Sequence, residues 1–280
     1  MIGIFNDAGV RLAMTYNGLT INDPNDAFDD TFEVNTISYS TNIDHVSDPH
    51  QMKDGLEVGP ARKISMLIQI SGVIRAATIA KLFDKMTALS VAFDPALISH
   101  ENPGADFLAY DFTTPADAGN LSCRYYARAR TVPTPPVTEY SGTSTPFAID
   151  LLIADPRRYL QAVSTLSGAG TGANAGNYRT WPTLTATMAG AGSATYAITN
   201  NPALAGIATT TLTLDLSGRS AAEVVVVDMG NKKIMVDGVE TPSLYVSGDY
   251  FEMEPGNNVI SYANTTNATS VLTWYGAFTS

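Results

Sequence analysis

The C-terminal third of the chain consists of short apolar or alternating runs that are separated by turn signals. From Trp181 onward the 3.6-residue apolar period of an amphipathic helix is absent. Asp237-Gly238 and Pro255-Gly256-Asn257-Asn258 have the composition of tight turns between strands. Short strands at such close intervals are typical of a β-sandwich or jelly roll. We therefore predict a wholly β domain over residues 181–280, with strands at 184–188, 196–199, 211–216, 224–227, 234–236, 244–246, 250–253, 258–262 and 271–278.

The part of the chain before residue 160 combines strands with a single helix. Residues 64–70 alternate in polarity, so that one side of a strand carries Ile64, Met66, Ile68 and Ile70. Between Arg75 and Leu89 the apolar spacing changes to a helical pattern, with one face formed by Ile79, Leu82, Phe83, Met86 and Leu89. Further strands are predicted at 31–38, 107–112, 121–130 and 147–153. We expect a β-rich domain over residues 1–160 with one helix packed against it.

Two segments have patterns that do not predict core structure. Residues 161–180 contain the run from Gly168 to Gly176, whose composition favours a linker between two domains. The polar stretch from Tyr39 to Ala61 is too long for a tight hairpin and too weakly apolar for a core strand. This stretch is predicted to be either a functional arm or a mobile loop.

The overall composition excludes several classes of protein. Charged residues make up only 15% of the chain and hydrophobic residues 45%, so neutral polar residues must cover much of the surface. The net charge of -11 disfavours a sequence-independent grip on nucleic acid phosphates. The single cysteine, Cys123, excludes an intramolecular disulfide framework. We expect neither a membrane span nor a signal peptide, and therefore production in a cytoplasm.

Residues with catalytic or metal-binding potential are sparse. His45, His50 and His100 lie in segments that resemble loops, and a hydrolase would need one of them beside a nucleophile. Asp44-His45 and Asp48-Pro49-His50 could bind a divalent ion, but they lack defined ligand spacing, and a solvated polar arm is the favoured explanation. The acidic run 23–30 lacks the glycine and terminal glutamate of an EF-hand, and the run from Gly168 to Gly176 does not fit a phosphate-binding loop. No catalytic residue, metal or cofactor is predicted.

Aromatic residues of the predicted sandwich have two interpretations. Most such side chains belong to a core, but an exposed set could stack on a sugar. The set comprises Trp181, Tyr196, Tyr245, Tyr250, Trp274 and Tyr275. Two of the three nearby acids Asp249, Glu252 and Glu254 could form the carboxylate pair of a glycosidase. Acids on one strand are, however, more typical of a solvated edge.

A series of short motifs follows one another along the chain. Asp54-Gly55-Leu56-Glu57-Val58-Gly59 precedes the strand and the helix, and the apolar run from Phe147 to Ala154 ends in Asp155-Pro156-Arg157-Arg158-Tyr159. Gly176-Asn177 then precedes Trp181-Pro182-Thr183-Leu184, and the later strands follow Val236-Asp237-Gly238 and Pro255-Gly256-Asn257-Asn258. In content and order these motifs resemble the distal tail proteins, the Dit family, which form the hub between tail tube and tail tip in long-tailed bacteriophages of the siphovirus type.

The resemblance implies a mainly β fold, with an N-terminal β-sandwich or split-barrel-like ring domain that carries one α-helix and a C-terminal galectin-like β-sandwich. It implies a structural protein of the virion tail, assembled in the host bacterial cytoplasm, without a cofactor, enzymatic activity or membrane attachment. The implied assembly is a homohexameric ring around a DNA channel. The implied neighbours are the tail tube protein, the tape measure protein and a tail-tip or receptor-binding protein. A carbohydrate-binding, lectin-like sandwich is the alternative.

A closed ring needs two different patches that fit each other on adjacent copies. We expect the strand Ile64 to Ile70 or the arm Tyr39 to Ala61 to supply one patch, since an exposed strand edge can be extended by a neighbour. The interface residues predicted on this basis are Ile64, Met66, Ile68, Ile70, His45 and His50. Both parts of the chain are acidic, with 12 basic and 19 acidic residues through Tyr159 and 4 basic and 8 acidic residues beyond it. An acidic lumen would let DNA pass without binding it.

Overall fold

The structure is a computed structural model that describes residues 11–27, 30–49, 56–97, 107–114, 121–133 and 142–279. Its contacts divide the chain into two compact units, one from Met1 to Arg158 and the other from Tyr159 to Thr279. Each unit has its own buried apolar core.

The described strands of the first unit form one antiparallel sheet. They are β1 (Met14–Tyr16), β2 (Leu19–Ile21), β3 (Thr31–Pro49), β4 (Leu56–Arg75), β5 (Leu108–Thr113), β6 (Ser122–Ala129) and β7 (Ser144–Ile153). The order across the sheet is β3-β4-β7-β6-β5-β1-β2. Each strand predicted for this part of the chain overlaps one of the observed strands. The predicted ranges are 31–38, 64–70, 107–112, 121–130 and 147–153. Asn17 and Gly18 both have positive φ, as the two-residue hairpin turn between β1 and β2 requires.

A buried asparagine links the two end strands of this sheet, β2 and β3. The Asn22 backbone N–H donates to the Phe32 carbonyl at 2.8 Å, and its side-chain oxygen accepts from the Val34 N–H at 3.3 Å. Its side-chain amide donates to the Leu12 carbonyl at 3.1 Å. These bonds join β2 and β3 at Asn22 without a full ladder between the two strands.

Helix α1 (Ile79–Ala92) begins at Thr78, whose hydroxyl accepts from the Lys81 N–H. The helix predicted from Arg75 starts later because β4 continues as a strand to Arg75. Leu82, Leu89 and Ala92 are its buried residues. Lys85 and Lys81 also bind Asp30 and lower the pKa of its carboxyl group, so this attachment is present at neutral pH and weakens as the pH falls through that pKa.

The second unit is a sandwich of two antiparallel sheets. Its strands are β8 (Arg158–Ser167), β9 (Gly170–Asn174), β10 (Thr183–Met188), β11 (Tyr196–Pro202), β12 (Thr210–Leu214), β13 (Val224–Asp228), β14 (Lys233–Val236), β15 (Val239–Glu240), β16 (Tyr245–Gly248), β17 (Gly256–Ala263) and β18 (Ala268–Phe278). One sheet has the order β15-β14-β13-β10-β18-β8 and the other β16-β12-β11-β17-β9. The predicted mainly β fold, with an α-helix in the N-terminal part and a sandwich in the C-terminal part, is confirmed.

The predicted strand 250–253 is not a strand, apart from one bridge between Thr180 and Met253. Asparagine side chains hold this segment instead. Asn174 donates to the Met253 carbonyl at 3.1 Å, and Asn200 donates to the Glu252 carbonyl at 2.9 Å. Because these amides satisfy the backbone, the segment needs no ladder of its own.

Residues 161–180, predicted as a linker, contain most of β8 and the whole of β9. The glycines have a packing role here, since a Cβ at Gly172 would lie 2.8 Å from Cη2 of Trp274. A Cβ at Gly176 would overlap the backbone of Ala277. Glycine density in this run therefore reflects close approach of other chain segments rather than linker flexibility.

Candidate interaction surfaces

Most of the residues predicted to form an open strand edge lie in the core of the first unit. Met66, Ile68 and Ile70 have exposed fractions of 2%, 0% and 1%. Strand β4 pairs with β3 along one edge, and from Met66 to Arg75 it pairs with β7 along the other. The expectation that Ile64 to Ile70 is an open edge is therefore wrong from Met66 onward, because both backbone edges are already hydrogen-bonded and the side chains are buried.

The remaining predicted interface residues lie in or beside the arm. His45 is placed in β3 opposite Ala61, and Ile64 lies in β4 next to the end of the pairing with β7. His50 and His100 fall outside the described residues. For Ile64, His45 and His50 the interface role stays a prediction.

The predicted arm is an extension of strands β3 and β4. Residues 42–49 pair with 56–65 in antiparallel register, with shifts between Asn42 and Ile43 and between His45 and Ser47. Within the described ranges this ribbon pairs with no third strand, since β7 begins to pair with β4 at Met66. At about 3.4 Å per residue, eight residues extend roughly 27 Å. We call residues 42–49 and 56–65 the ribbon; both of its outer edges carry backbone groups that could pair with another chain.

Helix α1 presents a second exposed surface. Ile79, Phe83 and Val91 have exposed fractions of 58%, 51% and 46%. The sequence pattern assigns Ile79 and Phe83 to the apolar face, but the helix covers the sheet mainly through Leu82 and Leu89. Two of the apolar residues expected in the core are therefore half exposed.

The described residues contain no cluster of side chains that could hold a metal ion, since no group of three His, Cys, Asp or Glu comes close enough among them. In the acidic run, Asp23 accepts from the Asn25 backbone at 2.8 Å, which makes it a turn residue. Glu252 forms an ion pair with Arg179 at 3.1 Å and raises the pKa of that guanidinium. None of the helices in the described ranges has the length and apolarity needed to cross a bilayer.

The aromatic residues considered for sugar stacking divide into core and surface groups. Trp274 and Tyr196 have exposed fractions of 3% and 0%, and both belong to the sandwich core. Tyr245 and Tyr250 stack on each other with ring centroids 6.2 Å apart, and Tyr245 is 44% exposed. A sugar platform that depends on Trp274 is therefore not available in the folded protein.

Comparison with known proteins gives matches to phage tail components. The family model described as "Siphovirus-type tail component, C-terminal domain" matches residues 175–278. The crystal structure of SPP1 Dit (gp 19.1) superposes with a TM-score of 0.64 at 13% identity, covering 95% of this chain and 99% of that one. A chain of the phage p2 baseplate in its activated conformation with Sr gives a TM-score of 0.50 at 9% identity, covering 95% and 98%. No curated protein matches the sequence.

The family match lies within the second unit, and the structural match extends over both units. Residues 175–278 are thus similar to the siphovirus-type tail component model, and the whole chain has the same fold as SPP1 Dit, as the sequence resemblance predicts.

Proposed function

We propose that this protein is a structural hub of a phage tail. It forms a ring of identical copies that joins the tail tube to the tail-tip apparatus. The observation that carries the proposal is the fold, which is shared over 95% of the chain with SPP1 Dit, described as a paradigm of the hub adsorption apparatus. The tail-component match over residues 175–278 supports the same assignment. Such a role requires no catalytic residue.

The proposed assembly is a homohexamer in the virion tail, put together in the cytoplasm of the host bacterium. Its proposed neighbours are the tail tube protein, the tape measure protein and a tail-tip or receptor-binding protein. The first unit forms the ring and surrounds a channel for DNA. The acidic excess of this part of the chain supports the channel, because a wall with few cations releases few counterions from DNA and binds it weakly.

The ribbon is the proposed source of the ring contact. An isolated two-stranded hairpin is at best marginally stable in water, because it buries little apolar surface. In the part of the chain that the structure describes, residues 42–49 form a ladder with 56–65, and the ladder between β4 and β7 begins only at Met66. Contact with the next copy would cover one side of the ribbon and pair its open edge. The half-exposed Ile79, Phe83 and Val91 of α1 offer apolar area for such a contact.

Light scattering on the purified full chain tests the ring. We expect a species of six times the 29.7 kDa mass of one chain, with a mass that stays constant over a wide concentration range because a closed ring has no free ends. Monomer alone over the same range would count against a self-closing ring. A mass that grows steadily with concentration would indicate open chains and would also contradict the proposal.

A further inference from the structure

Two stacked tyrosine rings lie at one edge of the second unit. Tyr245 begins β16, the end strand of the five-stranded sheet, and its ring stacks on that of Tyr250. The ring centroids are 6.2 Å apart and the planes are 10° from parallel, so the rings are offset and overlap little. Tyr250 is partly buried against the sandwich core, whereas Tyr245 is 44% exposed. We call Tyr245 and Tyr250 the tyrosine strip, since together they present two parallel aromatic rings side by side.

The exposed ring of the tyrosine strip has a fixed orientation. The Tyr245 hydroxyl donates to the Gly248 carbonyl at 2.7 Å, which ties the ring to the backbone at the other end of β16. Gly248 has a φ of 97°, and a Cβ at this position would overlap the Thr211 carbonyl, so the position requires glycine. Because the hydroxyl bond and the Tyr250 ring hold Tyr245 in place, a ligand that stacks on it removes little side-chain freedom.

The chain around the tyrosine strip is exposed and carries a single charged group. Asp249 is the only charged residue between Thr241 and Tyr250, and it is exposed. It lies next to both rings, because it follows Gly248, which contacts Tyr245, and precedes Tyr250. The Asp249 carboxylate makes no hydrogen bond or ion pair with the residues that the structure describes. An acceptor without a partner therefore lies beside an exposed aromatic surface.

This combination of groups favours one class of ligand. An aromatic ring stacks on the C–H face of a sugar ring, and a carboxylate accepts hydrogen bonds from sugar hydroxyls. A proline-rich peptide also stacks on aromatic rings, but it has few N–H groups and would leave the Asp249 carboxylate without a donor. An anionic ligand would be repelled by Asp249 and by the net charge of -11. A neutral sugar fits both the rings and the carboxylate.

We propose that the tyrosine strip binds a neutral oligosaccharide, with one sugar unit stacked on Tyr245 and its hydroxyls bonded to Asp249. Two parallel tyrosine rings accommodate more than one sugar unit, so a chain of sugars is favoured over a single one. Sugar binding is separate from assembly of the hub, because the tyrosine strip lies in the second unit and the ribbon in the first. Failure of one proposal therefore leaves the other intact.

Saturation-transfer difference NMR of the full chain tests the proposal, because ligand protons that stack on tyrosine rings receive saturation from the protein. The neutral probes are maltotetraose, cellotetraose and tetra-N-acetylchitotetraose, with glucose as the single-unit comparison and tetragalacturonate as the anionic one. We expect millimolar binding of at least one neutral tetrasaccharide, with the strongest transfer to C–H protons on one face of a sugar unit. Glucose should bind more weakly, and tetragalacturonate should not bind.

Variants of the tyrosine strip locate the binding site. Tyr245→Ala removes the exposed ring and should weaken binding about tenfold or more. Tyr245→Phe keeps the ring and should bind nearly as the unmodified chain does. Asp249→Asn should weaken binding several-fold, because hydrogen bonds to a carboxylate are stronger than those to an amide. Tyr126→Ala is the matched control, since Tyr126 is 37% exposed but lies in β6 of the first unit, and its binding should be unchanged.

Urea unfolding followed by tryptophan fluorescence shows whether the second unit stays folded in each variant. The proposal is overturned if none of the three neutral tetrasaccharides binds, or if a folded Tyr245→Ala binds them as the unmodified chain does. It is also overturned if Asp249→Asn binds them unchanged, which keeps the test decisive even if Tyr245→Ala does not fold. Binding of a decaproline peptide in place of the saccharides, or of tetragalacturonate as tightly as the neutral probes, would equally contradict it.

Discussion

Replacing Trp274 with alanine is expected to destabilise the second unit by about 3–5 kcal/mol, the usual cost of removing a large buried aromatic side chain. Trp274 is 3% exposed and lies in the core cluster between the sheets. Its indole N–H donates to the Ala173 carbonyl at 3.3 Å, and its ring occupies the space that Gly172 leaves free. The substitution therefore removes packing and leaves a carbonyl without its partner.

The measurement is urea unfolding followed by tryptophan fluorescence. Both tryptophans of the chain, Trp181 and Trp274, lie in the second unit, so the signal reports on this unit alone. Trp181→Ala is the matched control, because Trp181 is only partly buried and packs at the margin of the same core. Each variant keeps one tryptophan as its probe. If Trp274→Ala is as stable as Trp181→Ala, the buried role assigned to Trp274 is wrong.

The same result bears on the lectin interpretation. Loss of glycan binding in Trp274→Ala would reflect unfolding of the sandwich and not loss of a sugar contact. A test of sugar binding in this protein must therefore use residues whose removal leaves the core intact. Tyr245 meets that condition better, since it is 44% exposed.

Removing the ribbon is expected to abolish ring assembly and to leave both units folded. The structure defines where to cut, because Thr41 still pairs with Met66 and Asn42 with Ser65, whereas residues beyond them lack support from β7. We would replace residues 43–64 with Asn-Gly, which forms a two-residue hairpin turn. A deletion of the whole stretch from Tyr39 to Ala61 would also remove Tyr39, which pairs with the buried Ile68.

Light scattering and thermal unfolding of the same sample give the readout. We expect the shortened protein to be monomeric at every concentration, with a melting temperature close to that of the full chain. A matched variant with residues 203–209 of the β11–β12 connection replaced by Asn-Gly shortens a surface turn in the other unit and should keep the ring. Intact rings in the ribbon deletion would show that the contact lies elsewhere, and α1 with Ile79, Phe83 and Val91 would be the next surface to alter.

The sequence predicts where the strands and the helix lie better than it predicts which strands pair with each other. Alternation in residues 64–70 indicates a strand with one buried side, and Met66, Ile68 and Ile70 are indeed buried. The same alternation is compatible with an edge or a central strand, because it describes side chains and not backbone pairing. Only the partners β3 and β7 show that β4 is central from Met66 onward.

The exposed surfaces and the close glycine contacts are harder to predict from the sequence than the strands, because a local pattern does not show which distant segments a residue contacts. Helical periodicity assigns Ile79 and Phe83 to an apolar face, but it does not tell how much of that face the sheet covers. The glycines at 172 and 176 favour a linker by composition, yet they are required by Trp274 and Ala277, which are about a hundred residues away along the chain.

The central claim is that copies of this chain close into a ring with an open channel. Negative-stain electron microscopy of the purified full chain tests it most directly, because class averages show the number of copies and the hole at once. We predict six-fold rings with a central hole wide enough for duplex DNA. The hub assignment would be contradicted if the class averages contain only monomers without a hole and light scattering at the same concentrations reports no larger species.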